Sequence, residues 1–176
     1  GLFTPSANGT YSFTMDITAD LVDDVPANNQ LTGDSFEVND YIYARDTDGT
    51  PNAGGGEDGN TPGDFAFEAG SLFDAFADQQ VYGINVTIGS GTPAGTIIYG
   101  KLYEYDATAG DFVYRDETAE YSTVATDIGT EKTLVLFTYP NLTAGNTYLV
   151  MVGCYSEFYY GTSGFSPDQT SFITYG

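Results

Sequence analysis

The sequence of 176 residues lacks histidine and tryptophan altogether, and Cys154 is its single cysteine. Without imidazole there is no Ser-His or Cys-His nucleophile pair, no zinc site with a histidine ligand, and no side chain whose ordinary pKa lies near neutrality. One cysteine cannot form an intrachain disulfide. Because Cys154 lies in the apolar run 148–155, we expect it to be a small buried hydrophobic residue. Carboxylate chemistry and binding are the functions that remain.

Basic residues are also scarce, with 4 Lys and Arg against 25 Asp and Glu and a formal net charge of -21. The basic residues Arg45, Lys101, Arg115 and Lys132 are scattered, whereas nucleic acids and anionic membranes are bound by clustered Lys and Arg. No apolar run approaches the roughly 20 residues that cross a bilayer. We therefore expect no nucleic-acid partner and no membrane insertion. Salt screens such self-repelling charge, which favours an extracellular or cell-surface location.

Aromatic residues and glycine are plentiful, with 15 Tyr, 12 Phe and 22 Gly, a composition that favours strands and turns. The run 97–105 is apolar or aromatic on both faces, which predicts a strand buried between layers. A short helical turn is expected only at 71–77. The other predicted strands are 11–19, one from 36 towards 43, 82–88, 112–114, 134–139, 148–154 and 172–175. The Thr-Ala-Gly-Asp turn at 108–111 predicts a hairpin between the strands that flank it. This pattern predicts an all-β fold, an antiparallel β-sandwich of jelly-roll-like or immunoglobulin-like type.

The spacing of the strands predicts a division of the chain near Tyr43. Residues 1–43 hold two clear strands, too few to bury a core alone. They are either the closing strands of an immunoglobulin-like domain or the N-terminal strands of the sandwich. Residues 44–64 form an acidic, Gly-rich loop, and residues 65–176 are long enough for a complete β-sandwich domain.

Two parts of the chain resemble bacterial surface proteins. The first comprises Gly9–Phe13, the acidic turn Asp23–Asn29 and Phe36–Val38, and it resembles the closing strands of immunoglobulin-like, adhesion-related domains. The second resembles β-sandwich modules of large multidomain proteins that gliding bacteria export by the type IX secretion route. It comprises Val81–Ile84, Leu102–Asp106 and Asn141–Tyr148. The resemblance implies that the chain is a module of a longer secreted protein.

The acidic loop has the composition of a calcium site. Calcium prefers six to eight oxygen ligands from flexible, carboxylate-rich loops. The spacing departs from that of an EF-hand, and no helices flank the loop. The alternative is a solvated linker, because Gly and Asp together also favour disorder. The candidate ligands are Asp46, Asp48, Asp58, Asn60 and Asp64.

Four aromatic residues near the C-terminal end are candidates for sugar binding: Tyr155, Phe158, Tyr159 and Tyr160. Aromatic rings beside carboxylates and hydroxyls suit the apolar faces and hydroxyl groups of sugars. The alternative is that these rings pack under the loops or against a neighbouring domain. Among the acids, only Glu104, in a strongly aromatic strand, stands out as a candidate for catalysis.

Three functions remain open. The one that we favour is a non-catalytic extracellular module acting in adhesion, as a spacer or in weak glycan binding, with neighbouring domains or copies of itself as partners. The second is a subunit of a surface filament joined by strand exchange, in which the strand at 11–19 completes a neighbour's sheet. The third, a carboxylate-dependent glycoside hydrolase, requires a cleft with two acids at a defined separation. We assign no catalytic residue and expect that the protein is not an enzyme.

Overall fold

Strands joined by turns make up nearly all the regular structure of the described residues. A computed structural model describes residues 5–18, 25–33, 35–39, 42–43, 52–57, 66–162 and 171–175. The chain divides into two compact units, 1–50 and 51–176, so the division falls inside the segment predicted as the acidic loop. In the described residues the only helix is a single 3-10 turn, Pro26–Asn28. No helix of that part of the chain has the length and apolar character to cross a membrane. The prediction of an all-β fold is confirmed.

The first unit contains two short antiparallel ladders, in which β1 pairs with β4 and β2 with β3. The prediction of one continuous strand at 11–19 is wrong, because the strand is interrupted after Tyr11 and resumes at Thr14. Phe13 and Met15 are 50% and 53% exposed, since a two-stranded ladder has no second layer to cover them. The strands of this unit are β1 (Gly9–Tyr11), β2 (Thr14–Asp16), β3 (Gln30–Thr32) and β4 (Phe36–Val38).

The second unit is organised around one antiparallel main sheet with the strand order β10-β9-β14-β6-β16, to which β11 adds beside β9. The predicted hairpin is confirmed, since β9 and β10 pair directly across the turn that ends at Gly110. The strands of the second unit are β5 (Asn52–Glu57), β6 (Phe67–Asp74), β7 (Gln79–Gln80), β8 (Gly83–Thr87), β9 (Ile97–Asp106), β10 (Asp111–Glu117), β11 (Tyr121–Ser122), β12 (Glu131–Val135), β13 (Asn141–Leu142), β14 (Thr147–Cys154), β15 (Phe158–Thr162) and β16 (Ser171–Tyr175).

The main sheet packs against a second layer in which β8 pairs with β12 and a bridge between Ile88 and Tyr160 connects β8 to β15. The layers approach closely at Gly100, where a Cβ atom would lie 2.8 Å from Cδ1 of Ile84. Alternate residues of both layers fill the space between them, as in a sandwich. The buried residues at this interface include Ile84, Val86, Ile88, Ile98, Leu102, Leu134 and Leu136.

Cys154 lies at the end of β14 and has no exposed surface. This confirms its prediction as a small buried hydrophobic residue. Burial raises the pKa of its thiol, because the thiolate is poorly solvated in this position.

Two predictions about local structure are wrong. The expected helical turn at 71–77 is instead largely occupied by β6, which pairs along its whole length with β14. Tertiary pairing decides here, because the segment has no helical periodicity strong enough to resist it. Within the predicted loop 44–64, residues Asn52–Glu57 form β5, which pairs with β15. A ladder uses backbone groups, so a Gly-rich segment joins it without an alternating side-chain pattern.

Candidate binding face

The outer face of the main sheet, turned away from the second layer, carries a group of aromatic side chains. Side chains alternate along a strand, so Ile98, Gly100 and Leu102 of β9 face the core. The residues between them therefore project outward, and the register places alternate residues of β10 and β14 beside them. We call this surface the tyrosine face and define it by Tyr99, Tyr103, Tyr105, Phe112, Tyr114 and Tyr155.

The rings of the tyrosine face are arranged in three contacting pairs. Tyr99 and Tyr155 have centroids 5.1 Å apart and are tilted by 36°. Tyr103 meets Tyr114 edge-on at 6.2 Å, and the third pair, Tyr105 with Phe112, is also edge-on at 5.4 Å. Such edge-to-face contacts are the arrangement that the ring quadrupoles favour. Each pair therefore holds its rings in place while one or more ring surfaces remain open to solvent.

Glu68 of β6 lies beside Tyr99 and Tyr103 and accepts three hydrogen bonds. The Tyr99 hydroxyl donates to its carboxylate at 3.0 Å, the Lys101 ammonium at 2.5 Å and the Tyr103 hydroxyl at 3.4 Å. The ammonium of Lys101 also lies 5.0 Å from the centroid of the Tyr99 ring, within cation–π range. One carboxylate therefore fixes two rings and the lysine between them.

These contacts shift the protonation equilibria of the three partners of Glu68. Burial and then the Glu68 charge raise the pKa values of Tyr99 and Tyr103, because both disfavour the phenolate. For Lys101, burial opposes the charged form, but the hydrogen bond and attraction from Glu68 outweigh it, so the pKa of the ammonium is raised. Both hydroxyls stay protonated and the lysine stays charged at neutral pH.

Acidic groups surround this cluster. Glu117 lies opposite Lys101 in the β9–β10 register. Glu120 accepts a hydrogen bond from the Tyr155 hydroxyl at 3.0 Å, and this bond raises the pKa of the Tyr155 phenol. The tyrosine face is therefore aromatic, rich in hydroxyl groups and acidic on balance.

The structure separates the four aromatic residues predicted to bind sugars. Tyr155 is 52% exposed and belongs to the tyrosine face, where it contacts Tyr99. Phe158 has no exposed surface and stacks with Phe67, so its assignment to a binding surface is wrong: an enclosed ring cannot stack on a sugar. Tyr160 packs against Phe67 and Phe158.

Tyr159 is placed on the second layer rather than on the tyrosine face. Its ring lies against Gly91, where a Cβ atom would fall 2.7 Å from Cδ2 of Tyr159, and its hydroxyl donates to Glu157 at 3.1 Å. Packing, the alternative from the sequence, accounts for Phe158, Tyr159 and Tyr160.

The five candidate calcium ligands lie outside the described residues: Asp46, Asp48, Asp58, Asn60 and Asp64. In the part of the chain that the structure describes, no three acidic or cysteine side chains come together as a metal site. Glu104 is held in an ion pair with Arg115 at 3.1 Å and accepts a hydrogen bond from Asn146 at 2.6 Å. Both contacts favour a structural carboxylate at this position.

Sequence reasoning missed five of the six rings of the tyrosine face. The strand that supplies three of them was expected to be buried on both faces, which is wrong, since Tyr105 is 43% exposed. The signal was present: Ile98, Gly100 and Leu102 are apolar, whereas the positions between them hold tyrosines and a lysine. Counting tyrosine as apolar hid this alternation, although its ring is amphipathic.

A second, smaller aromatic pair lies at the edge of the second layer. Tyr82 stacks on Tyr139 with centroids 5.3 Å apart, and Tyr139 has a φ of 50°, which is rare for a residue with a side chain. The buried carboxylate of Asp116 anchors the neighbouring Thr138. It accepts one hydrogen bond from the Thr138 amide at 2.9 Å and one from the Thr138 hydroxyl at 3.1 Å. This anchor holds the irregular segment 137–139 against the end of β10.

Comparisons of the chain with protein-family models, with curated proteins and with solved structures gave no match.

Proposed function

We propose that the chain is a non-catalytic module of a secreted cell-surface protein, and that the second unit binds glycans through the tyrosine face. The observation that carries this proposal is the collection of six aromatic residues on one outer sheet face, in contact with carboxylates. Adhesion is the role that such binding serves. The alternative role as a spacer needs no ligand.

Sugar recognition fits the chemistry of this face. The CH face of a pyranose ring stacks on an aromatic ring, and its hydroxyl groups pair with phenols and carboxylates. Tyr105, Tyr114 and Tyr155 each expose about half of their surface, and their ring contacts limit the entropy lost on binding. A broad sheet face suits an extended chain rather than a small molecule.

The acidic composition supports the extracellular part of the proposal. A net charge of -21 is tolerated best where salt or divalent cations screen it. Type IX secretion as the export route, and calcium as an ion bound by the acidic loop, belong to the same proposal and derive from the sequence alone.

The two other candidate functions have less support. The strand-exchange proposal was based on the strand at 11–19, but β1 and β2 are each paired with another strand of the first unit. A glycoside hydrolase needs two acids across a cleft, and Glu104 is instead paired with Arg115.

Affinity electrophoresis in native gels that contain soluble polysaccharides tests the proposal, because the strongly acidic protein migrates well and binding retards it. Insoluble cellulose and chitin are tested by co-sedimentation. We expect Tyr105→Ala, Tyr114→Ala and Tyr155→Ala each to weaken binding about tenfold, the equivalent of roughly 1.4 kcal/mol per stacked ring. Tyr82→Ala is the matched control, since it removes an exposed tyrosine elsewhere. Absence of retardation and sedimentation with every polymer, or equal loss in the control, would reject the proposal.

A further inference from the structure

The basic side chains of the described residues are all occupied by carboxylates. Lys101 pairs with Glu68, Arg115 with Glu104 and Lys132 with Asp127. Of these three cations, only Lys101 lies on the tyrosine face. A ligand that approaches this face therefore meets no unpaired positive charge from the described residues.

The pairing of Lys101 is stronger than that of an ordinary surface lysine. The side chain of Glu68 is only 15% exposed, and that of Lys101 is 26% exposed. The carboxylate is held at the same time by the hydroxyls of Tyr99 and Tyr103. Partial burial strengthens the attraction between the two charges relative to an exposed pair.

We propose that Glu68 determines the specificity of the tyrosine face: by sequestering Lys101 it makes the face select uncharged glycans and reject uronates and sulfated glycans. This inference rests on the proposed function. Anionic sugars are usually bound by cations with unused hydrogen-bond donors. Here the charge of Lys101 is already paired with Glu68, to which its ammonium donates, and Glu117 and Glu120 repel a further negative charge. Uncharged sugars avoid this repulsion and still gain the stacking contacts.

The proposal predicts a gain of binding from the loss of one charge. In Glu68→Gln the amide keeps the size and an acceptor oxygen, but it no longer neutralises Lys101. We expect this variant to bind anionic polymers about fivefold more tightly than the wild type, the effect of one lysine near an anionic surface. The double variant Glu68→Gln/Lys101→Met should lose this gain. Glu131→Gln, an equivalent change on the second layer, should show none of it.

The experiment uses the full chain and matched pairs of polymers. Hydroxyethylcellulose is compared with carboxymethylcellulose, and dextran with dextran sulfate, in the same native gels. Near-ultraviolet circular dichroism of each variant checks that the tyrosine environment and the fold persist. If Glu68→Gln does not fold, wild-type binding is measured at several salt concentrations instead. Binding to an uncharged glycan should be nearly independent of salt.

The outcomes separate the two proposals. A wild type that binds a neutral polymer but not its anionic partner, together with a gain in Glu68→Gln, supports both. Equal binding of neutral and anionic polymers, a steep salt dependence, or no gain in folded Glu68→Gln overturns the specificity role and leaves glycan binding intact. A wild type that binds no polymer of any kind overturns the proposed function, and the specificity role is rejected with it.

Discussion

The ring of Tyr99 lies directly over Gly153 on the neighbouring strand. A Cβ atom on Gly153 would fall 2.3 Å from Cζ and 2.6 Å from the hydroxyl oxygen of Tyr99. Gly153 stands between Tyr99 and Glu68 in the strand registers, so the missing side chain lets the phenol reach across β14 to the carboxylate. A glycine near the end of a central strand here serves a close approach.

Replacement of Gly153 by alanine should therefore displace Tyr99 and break its hydrogen bond to Glu68. We expect a loss of about 1–3 kcal/mol in the free energy of unfolding, the usual effect of overpacking, measured by urea denaturation. Tyr99→Ala removes the obstructing ring, so adding Gly153→Ala to that variant should cost less than adding it to the wild type. Equal costs in both backgrounds would show that Tyr99 does not fill this space.

Asp127 gives the stability a component that depends on pH. Its carboxylate accepts hydrogen bonds from the amide of Val124 at 2.9 Å and from the hydroxyl of Tyr121 at 2.8 Å. These bonds lower the pKa of Asp127. A carboxylate whose pKa is lowered by folding stabilises the native state. This stabilisation is fully present above the ordinary pKa of about 3.9 and is lost as the pH falls through the lower pKa of the folded state.

In Asp127→Asn this contribution disappears. We expect the difference in melting temperature between wild type and variant to be largest at neutral pH and to shrink towards pH 3. Thermal melts of both proteins at a series of pH values measure this difference. The many other acids titrate in both proteins, so their effect drops out when the two melting temperatures are subtracted. A gap that stays constant with pH would contradict the assignment.

The sequence was sufficient to predict the strands whose apolar residues alternate or cluster, such as β8, β9 and β14, and the hairpin turn before Asp111. It was insufficient for β5, because residues such as Gly55 and Gly56 pair through the backbone and leave no pattern. The tyrosine face brings residues of β9 and β10 together with Tyr155, which directly follows β14, and tertiary pairing sets the register that joins these strands. Only Tyr155 was found in advance, through its aromatic neighbours, which proved to pack elsewhere.

Asp116 anchors the irregular segment that contains Tyr139. Asp116→Ala leaves the amide and hydroxyl of Thr138 without this acceptor, and we expect a loss of about 1–3 kcal/mol in the free energy of unfolding. Amide hydrogen exchange in residues 137–139 should accelerate as well. The control is Asp111→Ala, an exposed site, for which we expect a change within about 0.5 kcal/mol. A similar loss at both positions would contradict the anchoring role.

Cys154 should be protected from thiol reagents in the native protein. It has no exposed surface, and burial raises its pKa, so the reactive thiolate is rare. We expect labelling to be complete in concentrated urea and slow in buffer, at a rate set by opening of the structure. Ser122→Cys, at an exposed position, provides a second thiol that should react at once. Rapid labelling of Cys154 in buffer would show that the end of β14 opens readily.

The acidic loop should bind calcium if its oxygen atoms act as ligands, a prediction made from the sequence alone. Binding to the native state only would raise the melting temperature, with about 2.7 kcal/mol of added stability at a concentration 100 times the dissociation constant. Thermal melts in calcium and in excess chelator measure this, with magnesium at equal ionic strength as the control for screening. Asp46→Asn combined with Asp48→Asn should remove most of the calcium effect, because carboxylates contribute most of the attraction for the ion. An identical melting temperature in calcium and in chelator would reject the calcium site, and an equal rise with magnesium would indicate screening of the acidic surface.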